Sequence, residues 1–197
     1  MLLLAFFYKP GITVLMLIQT QTTPNPNTLK FLLEAPLRLS IPRDFAHVDE
    51  AIGKSLLARR LFGLDGVARV FLAPEFVSIT KNEEADWAYL KTLVLHALGD
   101  FLLTGLSPVD DDEGETLSTT DDDPIIQQIK ELLEAKVRPA VEQDGGDIVF
   151  ERFEEGVLYL SMRGSCSGCP SSTATLKNGI ENMMKHYIPE VLEVRAA

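Results

Sequence analysis

Cys166 and Cys169 are the residues best suited to chemistry in this chain, and they lie in the run Gly164-Ser165-Cys166-Ser167-Gly168-Cys169-Pro170. Thiolates bind soft and borderline metals, and a Cys-x-x-Cys loop turns both sulfurs toward one ion or one cluster edge. Gly164 and Gly168 remove side chains where the backbone must turn tightly and approach a metal. Pro170 suits the first turn of a following helix, where a missing N–H costs nothing. The start of that helix would set N–H groups and a partial positive charge beside Cys169, which favours the thiolate.

Other chemistries share this motif. A Cys-x-x-Cys pair between a strand and a helix also serves thioredoxin-like redox proteins, and it can be half of a zinc site. The redox fold needs more parallel strands and crossover helices than the roughly 75 residues around this loop offer. Two incidental thiols in a glycine-rich turn is the bland reading. Against it stand two Gly, two Cys and a Pro within seven residues.

The ligand count narrows the choice. A tetrahedral zinc site or a four-iron cluster wants about four protein ligands, and the chain has two cysteines. His47, His96 and His186 are scattered. His96 falls in an amphipathic helix and reads as a surface side chain. His186 lies at the far end of the helix that follows the cysteines, about 20 Å away at ~1.5 Å rise per residue. The site is therefore expected to be completed by a second copy of the chain, two cysteines from each, at a symmetric interface. Such a site is exposed and labile, which suits transfer.

The elements that must position the loop are legible around it. Asp123-Pro124 starts a helix, with Asp as N-cap and Pro in the first turn. Ile125, Ile129, Leu132, Leu133 and Val137 supply its buried face up to Pro139. Gln143-Asp144-Gly145-Gly146-Asp147 is a turn. Strands are expected over 148–153 and 157–162, joined tightly at Glu154-Glu155-Gly156. A helix follows the cysteines from about Ser171 to His186, and Val191–Val194 makes a short last strand. The order is helix, strand, strand, cysteine loop, helix, strand.

Upstream lies a second domain. Thr22-Thr23-Pro24-Asn25-Pro26-Asn27 is a turn-rich entry, extended before each proline. Leu29–Glu34 reads as a strand and Val48–Phe62 as a helix ending at Gly63. Val67–Leu72 and Phe76–Thr80 form a hairpin. Trp87 to Leu102 is a strong amphipathic helix with Gly105 just past its end.

Composition sets outer limits. The 197 residues are 46% hydrophobic, enough for one ordinary domain or two small ones. The net charge is −11, and no Lys/Arg cluster offers a phosphate-binding surface, so no nucleic-acid partner is expected. Eight of the 29 acidic residues fall between Asp110 and Asp123 with no Lys or Arg among them; without these eight the net charge is −3. Such a segment buries too little to offset its ordering entropy, so 107–123 reads as an acidic linker. Two cysteines three residues apart close a minimal loop, unlike a structural disulfide, which indicates a reducing compartment.

Met1 to Leu17 is apolar but is interrupted by Lys9-Pro10-Gly11. The run before Lys9 is too short to span a membrane, and no membrane partner is expected. The segment has no Arg or Ser, contrary to a transit peptide, and lacks the marks of a signal peptide. Residues 1–15 are expected to be a non-native or disordered extension, with translation starting at Met16.

Four stretches carry a resemblance. Arg138-Pro139, Asp144-Gly145-Gly146-Asp147, the Gly164–Ser172 run and Thr175-Leu176-Lys177-Asn178-Gly179-Ile180-Glu181 resemble the NifU C-terminal-domain family, over about Pro124 to Val194. Thr22-Thr23-Pro24-Asn25-Pro26-Asn27-Thr28-Leu29-Lys30-Phe31 resembles the N-terminal domain of Nfu-type proteins. The resemblance implies an α+β chain of two small α/β domains, 16–106 and 124–197, joined by the linker. It implies an iron–sulfur cluster scaffold or carrier and not an enzyme. A [4Fe-4S] cluster would bridge two subunits through Cys166 and Cys169 of each. Implied partners are a second copy of the chain, apo iron–sulfur client proteins and upstream cluster assembly proteins. The implied compartment is the cytoplasm in a bacterium or the mitochondrial matrix in a eukaryote. Full-length NifU proteins have further cysteine-rich domains absent here, which favours carriage over assembly. Gly145 and Gly146 are read as serving a turn and Lys177 as a solvated charge. The first domain is read as a partner-docking or regulatory module.

Overall fold

The computed structural model describes residues 2–9, 12–110, 123–167 and 170–197, with side chains described over 17–110, 123–167 and 177–197. The chain divides into two compact units, Met1–Gly114 and Glu115–Ala197. Both combine helices with a sheet, the α+β class expected.

The first unit is a six-stranded antiparallel sheet in the order β1-β2-β3-β6-β5-β4. Its strands are β1 (Leu2–Lys9), β2 (Ile12–Thr22), β3 (Thr28–Leu33), β4 (Arg43–Phe45), β5 (Val67–Leu72) and β6 (Phe76–Lys81). Its helices are α1 (Val48–Ala51), α2 (Leu56–Phe62) and α3 (Trp87–Thr104). Alternation sends Leu29, Phe31 and Leu33 of β3 to one face, where they join Val77 and Ile79 of β6 and Leu90, Val94, Leu98 and Phe101 of α3 in one core. The helix α3 opens on Asp86, whose carboxylate accepts from Ala88 N, and closes on Gly105 at φ 67°.

Three expectations are corrected in this unit. Residues 2–9 and 12–15, expected as a non-native or disordered extension, are strand and not disordered, paired in register from Leu2 opposite Gln19 to Lys9 opposite Ile12. Lys9-Pro10-Gly11 reads as an interruption of one apolar run, yet it separates two segments rich in strand-forming residues; Pro10 and Gly11 themselves lie outside the described residues. The single helix expected over Val48–Phe62 is two helices. Gly53 at φ 70° breaks it, and Ser55 caps α2 by accepting from Ala58 N at 3.0 Å. Finally, Val109, which by its acidic neighbours reads as linker, is buried in the first core, and Ser55 Oγ donates to Pro108 O at 2.6 Å.

The second unit holds α4 (Pro124–Leu132), a π-helical turn (Leu133–Val137), α5 (Arg138–Gln143), β7 (Gly146–Glu154), β8 (Val157–Gly164), α6 (Pro170–Tyr187) and β9 (Glu193–Ala196). The three-stranded sheet runs β7-β8-β9, with β7 and β8 antiparallel and β8 and β9 parallel across α6. Asp123 caps α4 as expected, accepting from Ile125 N at 2.8 Å.

The expected helix end at Pro139 is corrected: helix continues to Gln143. In an unbroken α-helix the ring of Pro139 would meet the carbonyl of Ala135. The π-helical turn immediately before it widens the winding there, and Arg138 N bonds to Leu133 O, five residues back. The same widening explains how Ile129, Leu133, Val137 and Val141, four residues apart throughout, all reach one core. On a regular α-helix that spacing drifts off the buried face.

Candidate metal centre

The cysteine loop sits where β8 ends. Antiparallel pairing places Gly146, the first residue of β7, opposite Gly164, the last of β8. Two turns therefore meet at the same end of the sheet: Asp144–Gly146 and the one carrying Cys166. Gly145 at φ 80° and Gly164 at φ 63° hold left-handed conformations that a side chain would strain.

Hydrogen bonds tie the two turns together. Ser165 N donates to Gly145 O at 3.2 Å, and Ser167 N donates to Gly164 O at 3.1 Å. The Ser165 hydroxyl donates to Asp144 O. Cys166, only 6% exposed, packs with the core of this unit. Its Sγ lies 3.9 Å from Ser165 Oγ.

Of the two predicted ligands, the structure thus describes Cys166; Gly168 and Cys169 lie outside the described residues. The α6 backbone begins at Pro170, as its sequence suggests. The three histidines each have a local setting. His96 is an exposed side chain 3.2 Å from Asp100, His186 stacks edge-on against Tyr187, and His47 is exposed. Among the described residues no group of three or more His, Cys, Asp or Glu side chains is placed to hold a metal ion. Arg195, donating to both Glu193 oxygens at 2.9 and 2.7 Å, holds that carboxyl below the usual range, and Lys177, half-buried on α6, adds a smaller pull on Glu193 and on Glu181. For Glu181 the larger causes are hydrogen bonds from Lys185 Nζ at 2.6 Å and Val194 N at 3.0 Å, which join α6 to β9.

Sequence reasoning missed one feature of the site. Asp147 follows Gly146, is 3% exposed, and stands opposite Arg163 in the ladder. Its Oδ1 accepts from Ile148 N at 2.7 Å and lies 3.3 Å from Arg138 Nε. Burial raises the Asp147 carboxyl above its ordinary range, while Arg138, the Ile148 N–H and Arg163 pull it back down. An Asp directly after a Gly-Gly turn, with an Arg-Pro pair upstream, is the signal that was available.

The donor chemistry fits a soft-metal cargo: a buried sulfur at a turn between a strand and a helix, with Gly146 packed against it.

Comparison with known proteins places the chain among its relatives. A family model described as "NifU-like domain" matches residues 129–195. Another, "Scaffold protein Nfu/NifU N terminal", matches residues 18–105. A human protein named "NFU1 iron-sulfur cluster scaffold homolog, mitochondrial" is 46% identical over 190 residues, covering 95% of this chain and 73% of its own length. A Drosophila simulans protein of the same name is 47% identical over 182 residues, 91% of this chain and 64% of its own length. The Arabidopsis thaliana "NifU-like protein 4, mitochondrial" is 44% identical over 182 residues, 89% of this chain and 64% of its own length. This chain therefore spans less than two thirds of the fly and plant relatives. With both family models matched in order along the chain, and with relatives of this identity over most of its length, the chain belongs to the Nfu family of NifU-like proteins.

Proposed function

We propose that this chain is an iron–sulfur cluster scaffold and carrier. It holds a [4Fe-4S] cluster between two copies, through Cys166 and Cys169 of each, and passes it to apo iron–sulfur proteins. The cluster is cargo, received from upstream assembly proteins. The observation that carries the reading is Cys166 itself: a buried thiol at a turn pinned by the Asp144–Gly146 turn. The chain has two cysteines, fewer than the four or so ligands a four-iron cluster takes, which supports a site shared between copies. The names of the relatives support the scaffold role. Those names also say mitochondrial, which supports a reducing matrix-type compartment over the cytoplasm. No described helix is long and apolar enough to cross a membrane. The first domain is proposed as the module that docks partners, and 16–106 and 124–197 remain the proposed domain limits, with the structure carrying the first unit on through Val109.

Each step asks something of the chain's own residues. Cys166 gives up its proton when the cargo binds. The two pinned turns hold its sulfur in place without ordering cost at that moment. Release follows when a client offers stronger ligands, because two thiolates per chain give no chelating cage.

Anaerobic reconstitution with ferrous iron and sulfide tests the proposal. The expected result is brown protein with about one cluster per two chains, lost when Cys166 or Cys169 becomes Ala. A colourless monomer that reduces protein disulfides would overturn it.

A further inference from the structure

The two adjacent glycines of the Asp144–Asp147 turn do different work. Gly145 holds φ 80° and serves the turn. Gly146 is not among the residues of positive φ, so any amino acid can adopt its backbone. What forbids a side chain there is space. A Cβ built on Gly146 would lie 2.7 Å from Cys166 Sγ, 2.7 Å from Arg163 O and 3.2 Å from Cys166 N. Unstrained carbon contacts lie near ~3.5–4.0 Å, so such an atom cannot be accommodated without movement.

The three neighbours are not equally able to move. Arg163 O belongs to β8, and shifting it opens the β7–β8 pair beside Gly146 and Gly164. Cys166 N belongs to the turn that Ser165 and Ser167 pin. The sulfur alone is the end of a side chain, and a change of rotamer takes it away from β7. The place where Gly146 lacks a side chain is therefore the place the sulfur occupies.

We infer that Gly146 is a positioning residue for the cluster: its missing side chain is the seat of the Cys166 sulfur. The direction of the sulfur toward its cargo is then set from β7, across the sheet, and not by the cysteine loop alone. The inference rests on the carrier reading for its consequence, but the seat of the sulfur has a readout of its own.

The test uses the full chain as wild type, Gly146→Ala, Cys166→Ala, the double variant and Gly179→Ala. Gly179 is the control, since a Cβ there meets nothing within 4 Å. After anaerobic reconstitution, Gly146→Ala should keep its far-ultraviolet dichroism but lose cluster to a chelator about ten-fold faster than wild type or more. Gly179→Ala should match wild type. In cluster-free protein, the rate at which iodoacetamide alkylates Cys166, read by peptide mass, should change in Gly146→Ala only. The fall in melting temperature caused by Gly146→Ala should also be smaller in the Cys166→Ala background, because one of the two 2.7 Å contacts is then gone. If Gly146→Ala alone fails to fold, recovery of folding in the double variant supports the inference, and failure of both overturns it. An equal fall in both backgrounds overturns the inference, since the conflict would then lie with the Arg163 carbonyl. So does a chelation rate equal to wild type. A wild type that takes up no cluster defeats the carrier reading instead, and the alkylation and melting comparisons then decide the seat of the sulfur by themselves.

Discussion

The Asp147 carboxylate and the Arg138 guanidinium meet at 3.3 Å, Oδ1 to Nε, as an ion pair without an aligned hydrogen bond. The contact joins α5 to the first turn of β7, one residue from the seat of the Cys166 sulfur. Burial of Asp147 outweighs the pull of Arg138, so its carboxyl titrates above the ordinary 3.8. The sign of the pH dependence follows. A carboxyl with a raised folded value contributes most stability below its unfolded value, and that contribution is lost as pH rises through the folded value. Carbon NMR of the Asp147 carboxyl should therefore show a midpoint above 3.8. Asp147→Asn should gain stability relative to wild type over the same pH interval. A midpoint at or below the ordinary value would show that the arginines prevail over burial.

Ser55 supports two structures with one oxygen. It accepts from Ala58 N as the cap of α2 and donates to Pro108 O, which fixes the strand of chain that buries Val109. Ser55→Ala removes the cap and leaves the Pro108 carbonyl without this donor. Loss of the two together should cost about 2 kcal/mol. Trp87, the single tryptophan, packs against the core of this unit, so urea unfolding followed by its fluorescence reads the first unit alone. A shift below about 0.5 kcal/mol would mean that the cap is replaced by water.

Gly105 closes α3 at φ 67° with nothing within 4 Å of where a Cβ would stand. The space is open, so backbone strain alone should decide the effect of Gly105→Ala. A loss of about 1 kcal/mol is expected in the same fluorescence measurement. An unchanged midpoint would show that the helix end relaxes out of the left-handed conformation.

Local signals carried most of the element reading. Asp123-Pro124 and Gly105 each mark a helix end by chemistry confined to one or two residues. What could not be read depends on partners distant in sequence. Pro139 looks like a helix end because its clash is local, while the π-helical turn that admits it lets Ile129, Leu133, Val137 and Val141 share one core. Val109 looks like linker because its neighbours are acidic, while its burial is set by Ser55, over fifty residues upstream. The cysteine pair was evident as a candidate site from type and spacing. The role of Gly146 was not, because a turn glycine and a glycine emptied for a sulfur are the same letter, and only their φ angles and neighbours separate them.

A cluster shared between copies makes loading a condensation of two chains, which fixes how it responds to dilution. At constant iron and sulfide, the loaded fraction should fall as the protein is diluted, because each loaded species is a pair. A site complete within one chain would show no such fall. The loaded species should have close to twice the 21.8 kDa of a single chain. Absorbance of the cluster and light-scattering mass, recorded over a dilution series under anaerobic conditions, measure both quantities together. A brown species of 21.8 kDa whose loading ignores dilution would require two further ligands from the same chain. The chain's own sequence offers two cysteines and no more, so the dilution series tests the shared site directly.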